Sequence, residues 1–336
     1  MAAGQAPTIA VVVPAYLAAE RIQTVLSEIP ALVAHIVVVD DGSGDATAAT
    51  VEAARDQRVH LIRHDINRGV GAAMLSGYEA ALGLGADIVV KIDSDGQMDP
   101  RYLPALVRPI VLGAADYTKG NRFLHGRELR AMPGRRRVGN RGLSFLVKLA
   151  SGYWPVFDPA NGYTAIHSAV LRAVDRSSIA PRFFFETSML LELSRLRAVV
   201  VDVYIPARYR DEPSHLSARR AAVGFLGPLI KGAWQRLIRQ YFVQDFTSVS
   251  LFVVSGTLLV LFGLIWGVWH WAISNRDGVP ATTGTVMLAV LPLVIGFQLL
   301  LQAITQDIAN VPRDPIHGSL LEVERDGVAD GAGVRG

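Results

Sequence analysis

Ile88-Val89-Val90-Lys91-Ile92-Asp93-Ser94-Asp95-Gly96-Gln97 is the stretch on which the reading of this chain turns. A β-branched run of strand length ends in two carboxylates spaced two residues apart. Residues two apart on extended chain point to one side, so Asp93 and Asp95 face the same ligand. Two carboxylates held together are costly unless a cation lies between them or they separate into solvent. A divalent ion bridging a diphosphate meets that requirement, with hard oxygens on both sides. The plainer alternative is a solvated acidic turn before Pro100.

Two further clusters stand at comparable places. Val37-Val38-Val39 runs into Asp40-Asp41-Gly42-Ser43-Gly44-Asp45, where acids at a strand end can accept from base N–H groups or ribose hydroxyls. Asn67-Arg68-Gly69-Val70-Gly71 opens a helix, and its glycines permit close backbone approach and exposed N–H donors for phosphate. Strands are predicted at Thr8–Val13, His35–Val39, Val59–Arg63 and Ile88–Ile92, with helices at Glu20–Glu28, Asp45–Arg55 and Val70–Leu82. Asp45 and Thr47 supply capping chemistry for the second helix. Such alternation predicts an α/β fold with a largely parallel sheet, helices on both faces, and ligands at the carboxyl ends of the strands. Internal repeats, a dinucleotide glycine fingerprint and a phosphate-loop lysine motif are absent from the sequence.

The 336 residues allow one or two domains; 51% are hydrophobic, net charge is +3 and cysteine is absent, which removes disulfides and thiolate chemistry. The apolar excess is concentrated. Val249–Trp269 and Val286–Ile304 carry no charge and reach the thickness of a hydrocarbon core, about 30 Å. They predict two transmembrane helices. Lys231, Arg236 and Arg239 before the first span and Arg313 after the second put both termini in the cytosol. Residues 224–246 mix apolar and basic side chains as an amphipathic segment on a membrane surface does. The expected organisation is a cytosolic domain over 1–222, a surface segment over 223–247, a hairpin over 248–306, and a disordered tail over 307–336. The N-terminus carries no cleavable export signal by pattern.

Taken in order, Val-Val-Pro14-Ala-Tyr16, Asp40-Asp41-Gly-Ser-Gly-Asp45, Asn67-Arg-Gly69-Val-Gly71 and Asp93-Ser-Asp95-Gly-Gln97 resemble family 2 glycosyltransferases. Lys119-Gly-Asn-Arg122, Asp158-Pro-Ala-Asn161-Gly162-Tyr163 and Tyr209-Arg210 through Ser214-His215-Leu216 extend the resemblance, within the dolichyl-phosphate mannose synthase-like branch that glycosylates polyprenyl phosphates. Leu17-Ala18-Ala19-Glu20 stands where the family usually has Asn-Glu, with Glu20 as the substitute acid. The resemblance implies a Rossmann-like nucleotide-sugar (GT-A type) domain in which Pro14, Tyr16, Glu20, Asp40, Asp41 and Gly69 bind the donor. It implies that Asp93, Asp95 and Gln97 hold Mg2+ or Mn2+ and the diphosphate. Arg210, Ser214 and His215 would close over the donor. Arg122, Asn161 and one of Arg135, Arg136 or Arg137 would meet the acceptor phosphate.

The charge pattern agrees. Between Lys119 and Lys148 there are nine Lys or Arg residues against the single acid Glu128. A phosphate monoester near a bilayer needs concentrated positive charge, best supplied by arginine forks. Nucleic acid is the rival partner, disfavoured by the two spans. The expected partners are a nucleoside-diphosphate sugar, a polyprenyl phosphate and the inner or plasma membrane, with a homo-oligomer left open. The reading is an inverting, metal-dependent hexosyltransferase. Its rivals are transfer to a hydroxyl of a glycolipid or membrane protein, and a non-catalytic membrane-anchored binding protein.

Overall fold

In a computed structural model, residues 6–122, 134–159, 161–206 and 218–323 are described, with all their side chains except those of 134–141 and 218–223. Two compact units divide the chain: one holds residues up to Ile230 and from Pro312 onward, the other Lys231–Val311.

The first unit is built on seven strands: β1 (Ile9–Ala15), β2 (His35–Asp40), β3 (Val59–Arg63), β4 (Ile88–Lys91), β5 (Tyr117–Asn121), β6 (Thr164–His167) and β7 (Val200–Tyr204). Their order in the sheet is β3-β2-β1-β4-β6-β5-β7. All are parallel except β6, which runs antiparallel to both neighbours. The four strands and three helices expected in the first half fall within two or three residues of their predicted ends, as α1 (Ile22–Glu28), α2 (Thr47–Glu52) and α3 (Val70–Gly83). Helices α4 (Leu103–Val111), α5 (Gly134–Ser151), α6 (Ser168–Ala173), α7 (Phe185–Leu196) and α8 (Ala218–Ile238) follow. All seven residues of β1 are buried, as a central strand covered on both faces requires. At the N-terminus of α2 the cap position falls on Ala46, which offers no side-chain cap; Asp45, one residue earlier and expected to cap, accepts from the Thr47 N–H at 3.0 Å as a local turn.

Strand register lays one polar row across this apolar sheet. Lys91 pairs with Thr164, Thr164 with Lys119, and Lys119 with Asp202. Cross-strand partners share a face. Both lysines are buried there, 1% and 0% exposed.

At the opposite edge, residues 316–323 return to the first unit, although that stretch was expected to be unstructured. The N–H groups of Ile316 and His317 donate to the fully buried Asp116, and the His317 ring stacks on His167 with centroids 4.5 Å apart. Burial, with His317 second, lowers the pKa of His167 to about 4, so its ring is neutral. A buried carboxylate needs partners, and the returning backbone supplies them.

The second unit contains α9 (Ser248–Asp277) and α10 (Thr283–Ala309), longer than the uncharged runs in the sequence because the helices continue into polar residues at both ends. Small residues set their close approach: a Cβ added at Gly256 would lie 2.9 Å from the Gly296 carbonyl oxygen, and one at Gly263 would lie 2.6 Å from that of Ala289. Their outer faces are apolar and bare; Ile265 is 68% exposed and Trp269 66%. Both helices are long and apolar enough to cross a membrane. At one end, Asp307 takes a bidentate pair from Arg236 at 2.8 and 2.9 Å and a hydrogen bond from the Tyr241 hydroxyl. In the first unit's part of α8, Leu226 and Ile230 are exposed; in the second unit's part, Trp234 and Ile238 are.

Removing one partner of a buried ion pair strands the other charge. Asp307→Ala is expected to destabilise the second unit by about 3–5 kcal/mol. Arg236→Met combined with Asp307→Leu should recover most of that. Thermal unfolding in detergent measures both, and a wild-type melt for Asp307→Ala would sink the account.

Candidate active site

The carboxyl ends of β1, β2 and β4 meet where the connections diverge to opposite sides of the sheet, the place where open α/β sheets bind ligands. A groove of about 270 Å3 opens there. Pro14, Ala15 and Tyr16 line it from the end of β1, Asp41 from β2, Asn67, Gly69 and Val70 from the start of α3, and Asp93, Ser94 and Asp95 from the turn after β4. Residues 80 positions apart in sequence therefore face one space.

Asp41 organises one wall. It is 3% exposed, and its two oxygens accept from the Arg68 N–H at 3.0 Å, the Gly69 N–H at 2.7 Å and the His64 ring at 2.7 Å. Burial pushes the carboxyl upward, but the donors from Arg68, His64 and Gly69 outweigh it and hold the acid below its usual range. The N–H groups expected to be free for phosphate are thus partly used inside the protein. The glycines admit protein as well: a Cβ at Gly69 would lie 2.5 Å from the Pro181 carbonyl oxygen, and one at Gly71 2.0 Å from that of Ala180. Gly69 also needs its φ of +99°, a region L side chains rarely adopt. Their close approach serves the 180–182 segment, which carries Arg182 and Phe183 into the groove.

The opposite wall rests on a buried cation. Lys91 Nζ lies 2.5 Å from Asp93 Oδ1 and 3.3 Å from Glu186 Oε1. Burial alone would lower its pKa, but Asp93 and then Glu186 raise it above the ordinary lysine value, so it stays protonated. Among the described residues Asp95 forms no such ion pair, Lys91 and Arg21 acting on it only through more distant charge; its Oδ1 accepts from the Gln97 N–H at 2.9 Å. Burial, with the charge of Asp93 second, raises its pKa. One carboxylate is neutralised from below, while its neighbour faces the groove carrying charge that an added cation would relieve. Two hard-oxygen groups in one groove suit a divalent ion such as Mg2+ or Mn2+.

The other sequence-derived residues divide. Asp40 is buried, and its Oδ1 accepts from the Ser43 N–H at 3.1 Å, so it caps a turn outside the groove lining. Glu20 and Gln97 are exposed and also outside the lining. Arg122 is turned into an ion pair, its Nε 2.7 Å from Asp158 Oδ2. Asn161 is buried, its side-chain oxygen accepting from the Tyr163 N–H and its carbonyl from Lys119. The side chains of Arg135, Arg136 and Arg137 lie outside the described residues, as do Arg210, Ser214 and His215. Arg182 and Phe183 belong to no motif in the sequence and were missed. Lys91 left a signal, a lone charge inside a β-branched run.

The chain resembles known proteins. Residues 10–175 match the glycosyl transferase family 2 model. A UDP-N-acetylglucosamine–dolichyl-phosphate N-acetylglucosaminyltransferase of Methanococcus voltae is 29% identical over 229 residues, covering 64% of this chain and 90% of that one. An undecaprenyl-phosphate mannosyltransferase of Micrococcus luteus is 29% identical over 58% of this chain and 81% of its own. A polyprenol monophosphomannose synthase of Mycolicibacterium smegmatis is 31% identical over 50% and 65%.

Asp41 makes the stability of this wall depend on pH. A carboxyl whose folded pKa is depressed contributes its full stability above the unfolded value of about 3.9, and loses it as pH falls through the lower folded value. Asp41→Asn places an amide against the backbone donors; it should cost about 1–3 kcal/mol at neutral pH and flatten the acid limb of the stability profile. Thermal melts from neutral to acidic pH read both effects. An unchanged acid limb would show that the wall does not depend on this carboxylate.

Proposed function

From the glycosyltransferase family 2 domain of residues 10–175, with its GT-A-like α/β fold, we propose that the chain transfers a sugar from a nucleoside diphosphate onto a polyprenyl phosphate at a membrane surface, inverting the anomeric carbon. The observation that carries the reading is the pairing of Asp93 and Asp95, on one groove, with the opposite wall of Tyr16, Asp41 and Gly69. That groove suits a nucleoside diphosphate sugar, with Tyr16 and Pro14 toward the base and the carboxylates toward the diphosphate. The relatives' names supply the acceptor class: dolichyl, undecaprenyl and polyprenol phosphates.

Asp95 and Asp93 would hold Mg2+ or Mn2+, which when bound offsets the charge developing on the departing nucleoside diphosphate. Lys91 fixes Asp93 from beneath. Arg182 stands at the rim as a cation for the diphosphate oxygens. An acceptor phosphate is already largely ionised near neutral pH, its second pKa being about 6, so it attacks without a protein base. Glu186, the further carboxylate beside Lys91, is tied to that ammonium at 3.3 Å rather than placed to take a proton. A hydroxyl acceptor would need such a base. Catalysis then rests on positioning and electrostatics.

Arg122 would meet the acceptor phosphate by opening from Asp158, joined by one of Arg135 to Arg137 and by Asn161. Arg210, Ser214 and His215 would cover the donor. The exposed apolar residues of α8 and the bare faces of α9 and α10 support membrane anchoring, and Lys231, Arg239 and Arg313 support a cytosolic catalytic domain.

In detergent-solubilised protein with manganese or magnesium, Asp95→Asn is expected to reduce transfer by about a thousandfold or more, as loss of an electrostatic stabiliser does. Undecaprenyl phosphate should accept sugar while the free polyprenol does not. Turnover retained in Asp95→Asn, or equal use of the alcohol, would overturn the proposal.

A further inference from the structure

Beneath the groove, β6 enters the sheet against the direction of its neighbours, so the residues before it arrive at the same edge as the ends of β4 and β5. That approach, from Phe157 to Pro159 and through Asn161 and Gly162, is gripped at three places. The Phe157 N–H donates to Asp202 Oδ2 at 2.8 Å, and Asn121 Nδ2 donates to the same oxygen at 2.9 Å. The fully buried Lys119 donates to the Asn161 carbonyl. Gly162 lies against the Lys91–Asp93 pair so closely that an added Cβ would stand 2.4 Å from Lys91 Nζ and 2.8 Å from Asp93 Oδ2.

The same approach carries Asp158, which holds Arg122 through two of its nitrogens at 2.7 and 3.2 Å. One short stretch of chain thus touches the donor-side carboxylate at one end and orients the acceptor-side arginine at the other. Nothing in the reaction needs a lysine inside the sheet at position 119. An ammonium with no exposed surface is expensive, and burial draws its pKa down to about 8 against the pull of Glu186 and Asp158. A methylene chain of equal length would pack there at lower cost, so the charge is explained by what it holds.

We propose that Lys119 and Gly162 are positioning residues that clamp the 157–162 approach, setting Arg122 relative to Asp93 so that acceptor phosphate and donor diphosphate meet in register. This rests on the functional reading above. Lys119 acts through the Asn161 carbonyl and Asp158, and touches neither substrate. Gly162 transmits any displacement of Asp93 to the same stretch, because no side chain there can yield first.

The test uses the full chain in nanodiscs, with undecaprenyl phosphate and the nucleotide sugar titrated separately. Lys119→Met leaves Lys91 and Asp93 untouched; it should raise the KM for the lipid phosphate by about tenfold while the donor KM stays within about twofold. Gly162→Ala pushes on Lys91 and Asp93 and should raise both. Amide exchange at Asn161 and Tyr163, whose N–H groups donate to the Asp158 carbonyl and the Asn161 side chain, should quicken in Lys119→Met. Unchanged lipid KM and unchanged exchange in that variant would overturn the clamp. If it fails to fold, Gly162→Ala decides: a donor KM raised with the lipid KM unmoved overturns the coupling. Failure of wild-type protein to use any polyprenyl phosphate would instead overturn the functional reading, and the exchange measurement would still judge the clamp.

Discussion

A lysine ammonium inside a β-sheet is the constraint around which the catalytic unit is arranged. Lys91 sits in the polar row of an otherwise apolar sheet, 1% exposed, and is tolerable only because Asp93 and Glu186 surround it. Stranding such a charge by removing a partner costs about 3–5 kcal/mol, a large share of a domain's net stability. Its partners are therefore held in place: Asp93 at the end of β4 and Glu186 on the first turn of α7. The consequence for chemistry is a division between two adjacent aspartates. Asp93 is already matched from below, whereas Asp95 meets the groove with its charge uncompensated by any lysine or arginine ion pair among the described residues.

The far wall is built by the opposite device, a carboxylate satisfied by backbone. Asp41 gathers the N–H groups of Arg68 and Gly69 and the ring of His64, and so bends the chain leaving β3 back onto the groove. Ser43 and Thr47 bind the turn after β1 in the same way, accepting from the Leu17 and Ala18 N–H groups at 3.0 and 2.9 Å. Loops on a sheet edge are ordinarily the mobile part of an α/β domain. Here side-chain oxygens from one loop cap the backbone of the next, which preorganises the groove before any ligand enters. The glycines at 69 and 71 complete the wall by letting the 180–182 segment approach to contact distance.

The second unit has a different kind of surface. Its helices satisfy their own backbone and leave large apolar side chains bare, an arrangement costly in water and favourable in hydrocarbon. Where polar groups are needed at its end, they bind one another: Asp307 binds Arg236 and Tyr241, and the Ser250 hydroxyl donates to the Tyr241 carbonyl. In both units the buried charges are held by named partners, carboxylates for Lys91 and Arg236 and a backbone carbonyl for Lys119.

Much of this was legible from residues alone. Local patterns decide strands and helices when both neighbours in sequence agree, so β1 to β4 and α1 to α3 could be read from β-branched runs, helical periodicity and glycine-marked turns. The two apolar helices follow from composition and length, because hydrocarbon imposes a simple demand. Asp93 and Asp95 could be singled out as two carboxylates closing a β-branched run, although they share the groove from the turn after β4 and not, as expected, from an extended segment. What sequence could not supply is whatever depends on partners distant along the chain. The reversal of β6 is set by sheet pairing, and it brings Asn161 and Gly162 beneath Asp93. Asp40 and Asp41 are adjacent and alike in sequence, yet one caps a turn and the other braces a wall. Arg122 reads as a free cation until Asp158 is placed beside it, and Arg182 and Phe183 have no local signature. Burial decides which charge must be paired, and burial is a property of the assembled sheet rather than of any one segment.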